Sequence, residues 1–288
     1  MRNTLPVLTV VAAILVIWYL AAFWMNAAWV MDQAARADRE VGFADLFTAT
    51  MTQDRPVVAA PHQVVTALWD GVFGHEITSK RSLVYHGFIT LEATLWGFAL
   101  GIAVGVGLAV AIVHSRTVNM SVMPWAVISQ TVPIVALAPM IVVVSNALGV
   151  EDRLVPKAII SAYLSFFPVL VSMVSGLRSP QHMQLDLLKT YGATRAQVFW
   201  KLRLPSSLPY FFASLKVAIA ASLIGAIVGE LPTGAINGLG ARMLIGSQFG
   251  QPLIMWAALF AAAILAGGLI LIVTAIQRAA DRRMGVMR

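Results

Sequence analysis

Charged residues are missing from long stretches of this chain, and their absence constrains the fold more than any other feature. A helix crossing roughly 30 Å of hydrocarbon needs about 20 predominantly apolar residues. Uncharged runs of that kind extend over Asn3–Met31, Ala93–Ser115, Thr117–Val150, Ala158–Leu177 and Met243–Gln277. A sixth, about Tyr210–Leu231, is interrupted by Lys216 and ends at Glu230. With 59% apolar and 11% charged residues, too few charges remain to coat a soluble core, since soluble domains are roughly 25% charged. Disorder, a disulfide scaffold and a typical cytosolic enzyme are all disfavoured. The six runs predict an all-α, polytopic membrane helix bundle of about six transmembrane helices. The chain has no cysteine, which removes thiolate metal sites and cysteine nucleophiles.

The first run is longer than the roughly 7–15 apolar residues of a secretory signal, so an uncleaved helix is expected there. Orientation follows from Lys and Arg, which accumulate on the cytoplasmic side. With the N-terminus inside, the inner side holds twelve basic residues, among them Arg116, Arg178, Lys189, Arg195, Lys201 and Arg203, against Asp186 and Asp281. The outer side holds eight basic and eleven acidic residues. The two sides, +10 and −3, sum to the formal net charge of +7. The surplus therefore belongs to inner loops and does not call for nucleic acid as a partner. Both termini and the loop between the fourth and fifth spans are expected inside.

The chain divides into an N-terminal transmembrane helix (1–31), an extracytoplasmic segment (32–85), a core (86–278) containing an inner loop (178–209), and a cytoplasmic tail (279–288). In the outer segment a helix is expected over Asp32–Thr52, broken by Pro56 and Pro61, and a short one over His62–Gly71. Gly97, Gly101 and Gly105 recur every four residues, a spacing that lets helix backbones approach closely or that membrane helices simply tolerate. The third span contains Gln130-Thr131-Val132-Pro133 and Pro139, which predicts a kink. Ser129, Gln130, Thr131 and Pro133 beside it are candidates for a translocation path, or for hydrogen bonds to a neighbouring helix. Glu230, at the outer end of the fifth span, either gates or orients solute, or is an interfacial carboxylate, hydrated or paired with Arg242. Lys216 is expected to snorkel to the interface.

The segment Arg178–Pro209 is too regular for a passive connector. Ser179 and Pro180 predict a helix start, and Gly192 a left-handed stop after Tyr191. Thr194 and Gln197 form a capping box for a second helix that should end before Leu204-Pro205. Leu187, Leu188, Tyr191 and Phe199 among Lys189, Arg195, Lys201 and Arg203 make an apolar ridge with a basic rim. Such a surface suits a docked protein or, alternatively, anionic lipid.

Here the sequence resembles the permease subunits of bacterial ABC importers. Their cytoplasmic motif is Glu-Ala-Ala, three residues, Gly, nine residues, then an aliphatic residue, any residue and Leu-Pro. In this chain Asp186-Leu187-Leu188 stands where Glu-Ala-Ala is usual, and Gly192-Ala193 is followed at the family's spacing by Leu202-Arg203-Leu204-Pro205. The resemblance extends from about Pro61 to Gln277. Gly97-Phe98-Ala99-Leu100-Gly101, Gln130–Ile134 and Ala136-Leu137-Ala138-Pro139 are similar to the nitrate/sulfonate/taurine-type branch. Gly229–Gly234 and Gly238–Arg242 are similar to members associated with riboflavin or pyrimidine precursors.

The resemblance implies a type I importer permease of MetI-like architecture in the bacterial inner membrane. It implies a second, identical permease copy, a cytoplasmic ABC ATPase dimer and an extracytoplasmic solute-binding protein, besides the surrounding lipid. It also implies that Asp186, Leu187, Leu188, Tyr191, Gly192, Ala193, Leu202, Leu204 and Pro205 couple to the ATPase. The residues themselves agree that ATP is bound elsewhere, because no G-x-x-x-x-G-K-[ST] phosphate loop occurs. No cofactor, metal site or nucleophile–base arrangement is expected, and the chain is not expected to be an enzyme. His62, His75, His86, His114 and His182 show no metal-ligand pairing. The alternative is a secondary transporter driven by an ion gradient, but the ionisable residues lie toward span ends and no repeated halves are visible. A membrane-embedded enzyme lacks its catalytic constellation.

Overall fold

The computed structural model describes residues 4–38 and 40–283. Arg2, Arg39 and Arg288 of the charge tally, and the end of the 279–288 tail, lie outside the described residues. Among the described residues every regular element is helical. In chain order these are α1 (Thr4–Arg36), α2 (Phe43–Met51), α3 (Pro61–Phe73), α4 (Leu83–His114), α5 (Arg116–Ser129), α6 (Ile134–Ala147), α7 (Leu154–Leu177), α8 (His182–Thr190), α9 (Arg195–Val198), a π-helical turn (Phe199–Arg203), α10 (Leu204–Glu230), α11 (Leu239–Gln248) and α12 (Pro252–Arg283). Five helical runs are long and apolar enough to cross a membrane: α1, α4, α7, the Arg195–Glu230 run and α12. A sixth exists only if α5 and α6, bent by 105° at their junction, act as one broken span.

The expected kink in the third run is thus a full break. Pro133 lacks an N–H and disfavours a helical Val132 before it, so the chain leaves α5 and restarts after an extended Pro133 (ψ 119°). Pro139 sits inside α6 without ending it.

Other boundaries also differ from expectation. The uncharged run Met243–Gln277 is divided, because Gly250 adopts φ +60° and Pro252 opens α12. The expected helix over Asp32–Thr52 is instead the end of α1, a turn with Asp38 at φ 51°, and α2. The short helix near His62–Gly71 is present as α3.

The chain forms two compact units. The first comprises residues 1–87 and 241–262. In it α1 buries little, 6% of its most apolar window, leaving an apolar surface suited to lipid. Its far end holds the following segment through side chains. Asn26 donates to the Val58 carbonyl at 2.9 Å and accepts from the Val57 and Val58 amides, and the Trp18 indole donates to the Ala59 carbonyl at 2.9 Å. Ala22, Met51 and Ala60 are buried beneath, and Trp18 stacks on Phe260.

The second unit comprises residues 88–240 and 263–288. Its centre is the close approach of α4, α7 and α10. A methyl on Gly97 would strike Ser161, one on Gly101 would strike Ser165, and one on Gly105 would strike the Phe166 carbonyl. The four-residue glycine spacing is therefore a packing seam between α4 and α7, as small residues in membrane helices allow. Gly225 on α10 lies against the Ser161 backbone. Serine hydroxyls tie the three helices: Ser161 donates to the Ser222 carbonyl and Ser222 to the Thr94 carbonyl, both at 2.8 Å. Val169, Leu170, Met173 and Leu177 of α7 fill the adjoining core.

Candidate functional site

Between α7 and α10 the chain builds a projecting loop on the predicted segment. Its helix begins two residues later than Ser179 would place it. The Ser179 hydroxyl turns back to the Gly176 carbonyl, while Gln184 accepts from the Gln181 amide at 3.0 Å and caps α8 from within. Gly192 ends α8 with φ +70°, and its amide and that of Ala193 reach the Lys189 and Leu188 carbonyls at 2.9 and 3.0 Å. That pair of bonds is a Schellman cap, which uses the left-handed residue. Thr194 and Gln197 exchange bonds of 3.3 and 2.8 Å as a capping box for α9.

The second helix of the loop does not stop at Leu204-Pro205. It widens into the π turn Phe199–Arg203, where the Leu204 amide reaches the Phe199 carbonyl, and continues as α10 to Glu230. Pro205 cannot donate and its ring crowds the carbonyl four residues earlier, and a widened turn accommodates both defects. Leu202, Leu204 and Pro205 are thus parts of one helical run leading into a candidate span. The loop also touches its neighbours. The Phe199 ring lies 5.1 Å from His114 at the end of α4, and Arg178 donates to Asn119 of α5 at 3.0 Å.

No residue of α8 is buried, and Leu187 and Tyr191 are 55% and 79% exposed. Leu188 and Ala193 are half-buried, and Asp186 is exposed. The Lys189 ammonium, donating to the Asp186 carboxylate at 2.9 Å, holds that carboxyl below its ordinary pKa. Sequence reasoning missed two members of the apolar ridge, Met183 and Trp200, exposed at 76% and 66%. The available signals were the four-residue spacing of Met183, Leu187 and Tyr191 and the place of Trp200 beside Lys201.

The α5–α6 break brings Ser129, Gln130, Thr131 and Pro133 together. Gln130, Thr131 and Pro133 are exposed within this chain and Ser129 is half-buried. The Ser129 and Thr131 hydroxyls donate to the Ala126 and Ile128 carbonyls, both at 2.8 Å, and the Tyr163 hydroxyl of α7 donates to the Ser129 carbonyl. Gln130 donates to the Ser129 hydroxyl at 3.3 Å.

Glu230 has a different setting. It is fully buried, accepting from the Thr90 hydroxyl and the Gly240 amide, each at 2.7 Å. Thr90 in turn accepts from the Leu239 amide at 2.9 Å. The carboxylate is thereby not a hydrated interfacial group. Nothing in the sequence marked Thr90 as its partner. Among the described residues no group of His, Asp and Glu is placed to hold a metal ion.

Residues 101–286 match the family described as binding-protein-dependent transport system inner membrane component. Over 172 residues the chain is 38% identical to the formylaminopyrimidine transport permease protein of Halalkalibacterium halodurans, covering 57% of this chain and 66% of that one. It is 29% identical over 199 residues to the riboflavin transport system permease protein of Chloroflexus aurantiacus (69% and 70% covered). It is 26% identical over 231 residues to the taurine transport system permease protein of Escherichia coli (80% and 82% covered). A solved structure of the methionine ABC transporter MetNI, described as inward facing, shares the fold at a TM-score of 0.52 and 19% identity. That likeness covers 76% of this chain and 96% of that one.

Proposed function

The chain belongs to the family of binding-protein-dependent transport system inner membrane components, the permease subunits of ABC importers, and from that membership we propose that α8 is its handle for a separate ATPase. The observation that carries this reading is the geometry of the loop. A short helix with no buried residue is capped at both ends and joined through α9 and the π turn to α10. A docked partner that moves α8 moves α10, because few freely rotating backbone positions lie between them. Asp186, Leu187, Leu188 and Tyr191 present the contact surface. Gly192 and Ala193 close the helix, and Leu202, Leu204 and Pro205 carry displacement into the span.

The partner is a cytoplasmic ABC ATPase dimer, which binds and hydrolyses the ATP. A second copy of the permease completes the passage, and an extracytoplasmic binding protein delivers the solute. The protein resides in the bacterial inner membrane with both termini and α8 on the cytoplasmic side, the orientation that the Lys and Arg distribution supports. The break at Ser129–Pro133 lines the passage, with irregular backbone at membrane depth tolerated where it faces a cavity. ATP-driven movement of α8 shifts the population between inward-open and outward-open arrangements. The solute is a small organic nutrient within the range of the relatives' names, a pyrimidine or flavin heterocycle or a sulfonate. Its selection rests largely with the binding protein.

The experiment is co-purification from membranes. Leu187→Asp with Tyr191→Asp should abolish recovery of the ATPase with the permease while the variant still inserts and resists unfolding as the wild type does. Retention of the ATPase, with ATP-dependent uptake intact, would remove α8 from the coupling role.

A further inference from the structure

Within the first unit lies a cleft of about 340 Å³ that none of the roles above uses. Asp70, His75, Arg81 and Arg242 line it, with Leu83 and Ile254 as apolar wall. Its size is in the range of small-molecule sites, roughly 300–1,000 Å³. The wall is well defined. A methyl on Gly71 of α3 would overlap the Leu83 side chain at 2.6 Å, so α3 lies directly on the start of α4. His75 is held by its Nδ1 against the Asp70 carbonyl at 3.2 Å, and the Gly74 amide donates to the same carbonyl at 2.8 Å.

Arg242 is the unexplained member. It is half-buried, and its Nε–H is buried with no hydrogen-bond acceptor among the described residues. No carboxylate among the described residues, Asp70 included, comes within ion-pair distance of it. Burial pushes its pKa below the ordinary arginine value. A guanidinium stays charged even so, and a desolvated charge without a partner is costly. Arg81 at the same cleft is exposed and adds a second positive charge, against the single negative charge of Asp70.

We propose that this cleft binds an oxyanion carried on a short apolar body, with Arg242 as the principal ligand and Arg81 at the rim. A planar guanidinium presents parallel N–H donors to a carboxylate, phosphate or sulfonate group. Leu83 and Ile254 take the apolar part. The same chemistry is offered by a free organic anion and by an anionic lipid headgroup.

The test uses the full-length chain in phosphatidylcholine nanodiscs, titrated calorimetrically with butylphosphonate and with uncharged butyramide. A parallel arm replaces part of the lipid with phosphatidylglycerol and reads the thermal midpoint. Saturable butylphosphonate binding identifies a free anion as ligand; stabilisation by phosphatidylglycerol alone identifies a headgroup. In either case Arg242→Gln should weaken the effect roughly tenfold or more, the loss expected for a charge-assisted bond. Arg55→Gln, which removes an exposed cation outside the cleft lining, should change nothing. Should Arg242→Gln fail to fold, Ile254→Trp fills the cleft with the arginine intact and should block binding as well. The proposal is overturned if neither anion acts, or if Arg242→Gln and Arg55→Gln behave alike. It is also overturned if Arg242→Gln alters self-association at unchanged anion affinity, which would make the cleft an interface between two copies.

Discussion

Thr90 on α4 donates its hydroxyl proton to Glu230 at the end of α10, 2.7 Å away and 140 positions along the chain. The same hydroxyl accepts the Leu239 amide, and the other carboxylate oxygen accepts the Gly240 amide. Two side chains thus satisfy two of the first amides of α11, which no intrahelical carbonyl can reach. A carboxylate at a helix N-terminus also meets the positive end of the helix dipole. Gly238 completes the clip, since it adopts φ +128° and a side chain there would run into the Glu230 carboxyl group.

Removing the carboxylate should therefore loosen α11 without disturbing α8. Glu230→Ala is expected to lower stability by about 3 kcal/mol, at the upper end for hydrogen bonds to a charged group. Glu230→Gln keeps one accepting oxygen and should cost about half as much. Thermal unfolding in detergent reads both, and ATPase co-purification should persist in each. Equal stability of Glu230→Ala and the wild type would show that the clip contributes nothing.

The glycine seam makes a second contrast. Gly97→Ala must push α4 off Ser161 and should cost about 1–3 kcal/mol, the usual cost of overpacking. Gly107→Ala, on the same helix with nothing nearby to collide with, should be neutral or stabilising by up to about 1 kcal/mol. Matched thermal midpoints for the two variants would contradict the close approach of α4 and α7.

Whether α5 and α6 cross together is a question of parity. As one broken span they leave six crossings, and α8 lies on the same side as the N-terminus. As a re-entrant pair they leave five, and α8 lies opposite. The chain has no cysteine, so single cysteines can report the side. Lys189→Cys should be shielded from a membrane-impermeant thiol reagent in intact cells, and Glu76→Cys should react. The reverse result at Lys189 would establish the re-entrant arrangement.

The Asp186–Lys189 pair sets a pH window. The folded pKa of Asp186 lies below its unfolded value of 3.8. Its stabilising contribution to α8 is therefore present above that value and is lost as pH falls through the lowered one. Titrating the Asp186 carboxyl by NMR should place it below the ordinary range in the wild type and move it upward in Lys189→Met. The pair is fully exposed, so the stability change should be small.

Several features were legible because they are local. Thr194 and Gln197 cap α9 as their spacing predicts, and Gly192 ends α8, because caps depend on residues three or four positions apart. The stop expected at Leu204-Pro205 is absent for the complementary reason. A proline forbids one hydrogen-bonding pattern, but the π turn from Phe199 supplies another. The division of Met243–Gln277 was likewise hidden, since that run carries no charge to mark Gly250 and Pro252 as a boundary.

What the sequence determined by itself is the class of molecule. Uncharged runs long enough to span hydrocarbon demand helices, and Gly192 with Leu202-Arg203-Leu204-Pro205 at family spacing identifies the kind of permease. Tertiary structure alone decided which polar groups meet. In sequence Glu230 reads equally as a group that gates or orients solute and as an interfacial carboxylate, hydrated or paired with Arg242. Its environment is set by Thr90 and Gly240, which reach it only when α4, α10 and α11 pack together. Side-chain chemistry is written along the chain, whereas burial and hydrogen-bond partnership depend on distances that only packing creates.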